Sequence, residues 1–507
     1  MDTEIEIKFL AVDDISGRLP VLLKNYNILK QDQFHLSNTY YDTADLALRR
    51  ADAGLRIRSK DGVLEQTVKL AGSQIGGLHQ RPEYNVGLAD HSPDLGLFPA
   101  HIWPEGLALD ALQQALLPQF CTDFVRRRWL LSCDDGSEIE LAFDIGEVRA
   151  GEASEPIAEL ELELCRGDAS QLFELAEVLI AQGGLRLGAV SKAQRGYQLA
   201  GLSPLPGLRP LEHVPLAAAD SCEQAMARML HQGMAHWQYH EESWLAQPAI
   251  ELLVQLREGV SLVHQILLMF GPLISHKVNS SWIDDLLWLQ QQLSWLDRAQ
   301  MLAQLSLEKG HYLRKLDCQK EVLRRLQEQG NFLPDEDKLQ QLFYSARYAR
   351  LVLRLTHWLY RQDWRAGVSQ QQQVGLAAPV QGLADRLVDD SWQTLRQSAL
   401  GNPELSRAEY IQQKGKLRRN LMVGLCFGDL YPEAERLAFR MPWLDILRGI
   451  EDLDMLTPLE EAYDQLDPEQ QQELTLWLDR KQNFLLEALE QSRDQALQQQ
   501  PYWLATE

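Results

Sequence analysis

The chain has 507 residues, and 49 Lys+Arg against 72 Asp+Glu leave a net charge of −23. That length favours two or more domains, because single cores stop growing near ~250–300 residues, and 45% hydrophobic with 24% charged residues is a globular rather than a disordered balance. The acidic total argues against broad nucleic-acid binding, which needs a basic face, yet leaves room for a buried cationic pocket.

The chain opens MDTEIEIKF, without a basic-then-apolar leader. Its most apolar stretch, residues 259–274, is interrupted by Ser261, His264 and Gln265, so no membrane partner is expected. Cys121, Cys133, Cys165, Cys222, Cys318 and Cys426 lie far apart without metal spacing and read as free thiols of a cytoplasmic protein.

Eight candidate strands follow in the first 200 residues. Period two puts Glu4, Glu6 and Lys8 on one face of the first and Ile5, Ile7 and Phe9 on the other. NTYYDT (38–43) is the second. Arg56, Arg58 and Lys60 then oppose Leu55 and Ile57; Glu65, Thr67 and Lys69 oppose Leu64, Gln66 and Val68; Arg81, Glu83 and Asn85 follow a Gly76-Gly77 turn. Arg126 and Arg128 oppose Val125 and Trp129, which leaves Arg127 outside. Glu138, Glu140 and Asp144 oppose Ile139, Leu141, Phe143 and Ile145, and Glu159, Glu161 and Glu163 oppose Leu160, Leu162 and Leu164. For one such strand, a sheet with its polar face in water is explanation enough. As a set, faces carrying full charges of both signs, with helical patterns at 12–29, 107–120 and 170–181 to cover the apolar faces, describe a closed barrel with a charged lumen. The expected fold class is α+β: an eight-stranded antiparallel β-barrel tunnel jacketed by helices, then an all-α helical bundle.

Residues 201–215 (GLSPLPGLRPLEHVP) carry four prolines and mark a linker. The expected domains are 1–200, a linker at 201–216 and 217–507, with the first folding and acting alone. After the linker, apolar residues recur at three- and four-residue intervals in 225–245, 282–305, 338–360 and 468–497, and a faint repeat relates 262–302 to 417–456.

A lumen lined by Glu, Arg and Lys calls for mobile ions of both signs. Convergent carboxylates suit Mg²⁺ or Mn²⁺, which keep waters and bridge to phosphates. The Arg and Lys residues suit a compact polyanion, and a neutral metabolite would be held poorly.

The residues then resemble a known family. Glu4-Ile-Glu-Ile-Lys8 is the ExExK opening of the CYTH, or triphosphate tunnel metalloenzyme, family, and YYDT (40–43), LRIR (55–58), TVK (67–69), RPEYN (81–85), RRRW (126–129), FDIG (143–146), ELELEL (159–164) and SKAQRGY (191–197) follow in the family's order. The second half resembles the CHAD domain, a helical repeat associated with polyphosphate, and the whole is similar to bacterial CYTH–CHAD inorganic triphosphatases. The resemblance implies metal-dependent hydrolysis of inorganic triphosphate to pyrophosphate and phosphate. Its implied alternatives are thiamine triphosphate or ATP (as in an adenylyl cyclase) as substrate, or a polyphosphate-binding module. By position, Lys8, Arg56, Arg58, Lys69, Arg81, Arg126, Arg128, Lys192 and Arg195 would bind triphosphate; Asp144, Glu159, Glu161 and Glu163 would hold Mg²⁺ or Mn²⁺; Glu4 and Glu6 would position the attacking water. The helical half departs from the CHAD pattern after His264, where QILLMFGPLI replaces basic residues. It keeps Lys414, Lys416, Arg418 and Arg419, and a basic belt (Lys309, Arg314, Lys315, Lys320, Arg324, Arg325) offers a second polyanion surface.

Overall fold

The computed structural model describes residues 2–306, 313, 316–402 and 404–504. Ten strands form one antiparallel sheet: β1 (Asp2–Ala11), β2 (Asn27–Asp42), β3 (Gly54–Lys60), β4 (Val63–Lys69), β5 (Ser73–Ile75), β6 (Leu78–Leu88), β7 (Leu117–Ser132), β8 (Glu138–Ala150), β9 (Ala153–Arg166) and β10 (Leu185–Leu187). Their order is β1-β9-β8-β7-β2-β3-β4-β6, and β6 pairs back onto β1, so eight strands close the expected barrel while β5 and β10 extend it. Closure leaves no free edge on those eight strands. The β3–β4 hairpin turns on Asp61-Gly62, both at positive φ (50° and 83°), the two-residue geometry that matches strand twist.

Register aligns the charges. Glu159 lies opposite Asp144, and Asp144 opposite Arg126; Lys8 lies opposite Glu161; Glu163 is flanked by Glu6 and Glu140; Glu4 lies opposite Arg81. The alternate residues Ile7, Phe9, Leu141, Phe143, Leu160 and Leu162 are fully buried on the outer face, where helix Ser170–Ile180 packs on β1 and β9. Burying such side chains contributes ~1.5–3 kcal/mol each, which fixes the register because a one-residue slip would reverse every face.

Two of the expected helical patterns shrink. Residues 12–29 hold one turn, Leu19–Leu22, before β2 begins, and 107–120 hold Leu109–Ala115 before β7. In both cases the end of the pattern is taken into the β2–β7 ladder, where Asn27 and Ile28 pair with Ser132 and Leu131, and Leu117 and Phe120 pair with Asp42 and Tyr40.

The molecule divides into two compact units, Met1–Gly207 with Glu336–Asp363, and Leu208–Asp335 with Trp364–Glu507. The boundary at the prolines omits Glu336–Asp363 from the first unit. Helix Ala346–Arg361 lies there because it covers helix Ser170–Ile180 and β10: His357 stacks on Phe173 at 4.2 Å, and Arg350 and Arg354 both pair with Glu177 (2.9 and 2.5 Å).

The second unit is helical. Cys222–Ala246 packs with Ile250–Phe270, and Glu433–Asp454 packs with Arg407–Cys426 and Pro468–Leu497. Capping boxes at Ser221, Ser406 and Asp467 start three of these helices. The stretch Ile250–Leu273 is long and apolar enough to cross a membrane, against expectation, but Leu253, Leu256, Val260, Val263, Ile266 and Leu267 are buried within the unit as in a core helix.

Candidate active site

The barrel holds a cavity of about 580 Å³. Alternation delivers Glu4, Glu6 and Lys8 from β1, Arg56 and Arg58 from β3, Lys69 from β4, Arg81 from β6, Arg126 from β7 and Glu161 and Glu163 from β9 to its wall. Helix Lys192–Leu199, capped by Ser191 accepting from the Gln194 amide, adds Lys192. Tyr40, Phe120, Phe124, Val148 and Tyr197 fill one end of the barrel as an apolar cluster, with Tyr40 stacked on Phe120 at 4.6 Å. The lumen is therefore charged along part of its length and aromatic at one end.

The cavity has a cationic wall and an acidic wall. On the first, the Arg58 Nε donates to Asn38 Oδ1 (2.8 Å), and no carboxylate lies within ion-pair distance among the described residues. Burial, then the charges of Arg56 and Arg126, pull its guanidinium down to about 9. An anion placed beside Arg58 removes that conflict. Among the described residues the one carboxylate within ion-pair distance of Arg56 is Glu83, at 3.7 Å, and the Tyr40 hydroxyl lies beside it as well. Arg81 contacts Glu6 at 2.9 Å, and Lys69 contacts Glu4 and Glu83, each at 2.6 Å.

Deeper in, ion pairs are dense. The Arg126 fork donates to both Asp144 oxygens (2.7 Å each) and to Glu161 (2.7 Å). Lys192 reaches Glu159 (2.6 Å), Glu161 (2.7 Å) and Asp144 (3.0 Å), and Lys8 reaches Glu159 (2.8 Å). Burial raises Glu159, but Lys192, Lys8 and Arg195 outweigh it and hold the carboxyl at about 2. Burial likewise opposes ionisation of Glu161, and Lys192, Arg126 and Lys8 overcome it.

On the acidic wall Glu163 has no cation within ion-pair distance among the described residues. Burial, then Glu4 and Glu140, push it up to about 7. Glu4 is raised by burial and by Glu6 and Glu83, against the pull of Lys69. Carboxylates are hard oxygen donors of the kind divalent cations take, and of this wall Glu163 is the one left without a cation among the described residues. The four expected metal ligands separate, however. Asp144 and Glu159 are fully buried and neutralised by Arg126, Lys8, Lys192 and Arg195, whereas Glu161 and Glu163 line the cavity with Glu4 and Glu6. Among the described residues no three such side chains are gathered tightly enough to hold an ion by themselves.

Arg128 and Arg195 stand back from the cavity. Arg128 forks onto Asp32 (2.8 and 2.7 Å) and reaches Glu140 at 3.3 Å; Arg195 holds Glu155 and Glu159, at 2.7 Å each. Arg127 points outward, toward Gln33 and Asp14.

Arg49, unforeseen in the sequence, lines the cavity. Asp42 caps the turn Ala47–Arg50 by accepting from the Leu48 and Arg49 amides, and the Arg49 guanidinium lies 4.4 Å over the Tyr197 ring while donating to Gln194 (2.7 Å). The signal available was YYDT itself, where Asp42-Thr43 precedes LALRR as a helix cap.

In the second unit Lys414 and Arg418 are taken up by Asp297, Glu451 and Asp454, and Arg324 and Arg325 by Glu321 and Glu328. Lys416 and Arg419 are exposed. Of the basic belt, Lys309, Arg314 and Lys315 lie outside the described residues. His264 is half-buried, as a core histidine.

A family model described as CYTH domain matches residues 2–197, and one described as CHAD domain matches residues 228–457. The chain is 40% identical over 197 residues to an inorganic triphosphatase of Haemophilus influenzae, a match covering 39% of this chain and 54% of that relative, so the chain spans about half the length of the curated protein it matches. Among solved structures, the CHAD domain of the plant Ricinus communis is 16% identical (57% of this chain, 96% of that one, TM-score 0.41). HpAC1 from Hippeastrum, described as revealing a dominant triphosphatase activity, is 19% identical (38% and 95%, TM-score 0.29). At such scores neither structure bears on function.

Proposed function

We propose, for a chain whose residues 2–197 belong to the CYTH domain family and whose residues 228–457 belong to the CHAD domain family, that the barrel hydrolyses inorganic triphosphate to pyrophosphate and phosphate with Mg²⁺ or Mn²⁺. The observation that carries the reading is the two-walled cavity. Among the described residues no carboxylate lies within ion-pair distance of Arg58 and no cation within that distance of Glu163, and a metal–triphosphate complex would supply both. The 40% identity to an inorganic triphosphatase supports the same substrate.

In this reading Lys8, Arg56, Arg58, Lys69, Arg81, Arg126 and Lys192 take the phosphate oxygens. At an effective dielectric near 20, each close pair is worth up to roughly 4 kcal/mol before desolvation. Glu4 and Glu6 orient water toward the terminal phosphorus, and the P–O bond to the departing pyrophosphate breaks as the new one forms. A divalent cation held by Glu163, Glu161, Glu4 or Glu6 would neutralise charge on the transferring group. Arg195 and Arg128 act at one remove: Arg195 orients Glu159, and Arg128 holds Glu140 beside Glu163.

A reducing, cytoplasmic setting suits the cysteines, all unpaired. Polyphosphate as a partner of the helical half draws support from the CHAD match, while Arg324, Arg325, Lys414 and Arg418 there are already paired. The test is ³¹P NMR of the full-length chain with tripolyphosphate and Mg²⁺. Pyrophosphate and phosphate should appear in equal amounts, and Glu6→Gln should slow both by at least ~100-fold. Release of three phosphates without a pyrophosphate stage would overturn it.

A further inference from the structure

The second unit contains a small pocket that none of the chemistry above uses. Helix Glu433–Asp454 places Arg436, Arg440 and Trp443 at i, i+4 and i+7, on one face. All three line a pocket of about 30 Å³, walled by Trp392, Tyr502 and Trp503. Arg436 is 7% exposed and Trp443 is 1% exposed. The Nε of Arg436, the Nε of Arg440 and the indole Nε1 of Trp443 are all buried without a hydrogen-bond partner.

Three unsatisfied donors around one pocket, two of them on cations, are an exception to the rule that buried polar groups are paired. Among the described residues no carboxylate lies within ion-pair distance of either guanidinium. Arg436 Nη1 donates to the ring of His213 at 2.7 Å, and Asp389 is engaged by Trp503 Nε1 at 3.0 Å. Burial, reinforced by the charge of Arg436, holds Arg440 below its ordinary range. An anion beside Arg436 and Arg440 would offset the charge of both.

We propose that this pocket binds one small inorganic oxyanion of the phosphate class. Guanidinium forks match tetrahedral oxyanions better than a spherical halide. The pocket clears the ~10–15 Å³ that a single water needs, yet about 30 Å³ admits one small group and not a phosphate chain. The site is therefore distinct in kind from a surface for polyphosphate.

The test uses the full-length protein with two probes, inorganic phosphate in thermal melts and selenate in crystals read by anomalous scattering. At one hundred times Kd, phosphate should raise the Tm of the helical unit by roughly 5–10 °C. Arg440→Met should abolish that rise, and Trp443→Phe, which removes one N–H from a buried ring, should reduce it. Selenate should give an anomalous peak between Arg436 and Arg440. Four results would each overturn the proposal. One is an undiminished phosphate response in both variants, which places the anion elsewhere, the barrel included. Another is selenate density at soaking concentration without any Tm response. A third is bromide density in the pocket where selenate gives none. The last is an Arg440→Met protein more stable than the parent with and without phosphate alike.

Discussion

Replacing Arg126 and Arg127 in turn separates two neighbours that differ only in which face of β7 they occupy. Arg126 makes three hydrogen bonds of 2.7 Å to Asp144 and Glu161, and the Asp144 side chain is 0% exposed. Removing one partner of a buried pair costs ~3–5 kcal/mol. Lys192 still reaches Asp144 at 3.0 Å, so Arg126→Ala should fall at the lower end, about 3 kcal/mol. Arg127 is 36% exposed, and its ion pair to Asp14 spans 3.4 Å; Arg127→Ala should cost at most ~1 kcal/mol. In activity, Arg126→Ala should lower kcat/KM on tripolyphosphate ~10–1000-fold, and Arg126→Lys, which keeps the charge but loses the fork, should fall between it and the parent. Denaturant midpoints and kcat/KM measured on the same preparations, below the melting range of the weakest variant, give both numbers. Equal losses at the two positions would refute the strand register and the lumen built on it.

Three further outcomes are expected. Glu163 rises from 4.5 to about 7 in the fold, so the fold favours its protonated form; that stabilisation is complete below pH ~4.5 and is lost as pH rises through 7, worth about 3 kcal/mol. With chelator present, Glu163→Gln should therefore be more stable than the parent at pH 8 and indistinguishable at pH 4.5, and denaturant melts showing the same gain at both would contradict the assignment. Excess EDTA should abolish phosphate release while circular dichroism stays unchanged; turnover at the metal-replete rate would count against a metal at the acidic wall. Met1–Gly207 alone should melt well below the parent or aggregate, because it loses His357 from Phe173, both arginines from Glu177 and the cover of β10, whereas supplying Glu336–Asp363 on a flexible linker should restore monodispersity, as light scattering would report.

Much of the barrel was legible because alternation is a local property. A strand with Glu4, Glu6 and Lys8 opposite Ile5, Ile7 and Phe9 declares its two faces within six residues, and closure follows once eight such strands need cover. The same rule set Arg127 apart from Arg126. It did not show that Tyr40, Phe120 and Phe124 share the lumen face with the charges, because an aromatic residue fits either side of a strand. Nor could it join Glu336–Asp363 to the barrel, since that attachment rests on Phe173, Glu177 and β10, more than 150 residues away in sequence. For the site, residue types revealed which groups carry charge but not which are already spent. Asp144 and Glu159 stand in a row of carboxylates in the sequence, and only the fold places Arg126, Lys8, Lys192 and Arg195 around them. Arg49 escaped because its position depends on a helical cap and on the Tyr197 ring, both made by folding.

The most direct test of the central claim is the ranking of kcat/KM, with Mg²⁺ and with chelator, for tripolyphosphate, ATP, thiamine triphosphate and long-chain polyphosphate on one preparation of the full-length chain. A cavity that needs both a compact polyanion beside Arg58 and a cation beside Glu163 predicts that tripolyphosphate leads and that chelator removes the activity on every substrate. A preference for ATP or thiamine triphosphate, or turnover of tripolyphosphate that survives the chelator, would contradict it.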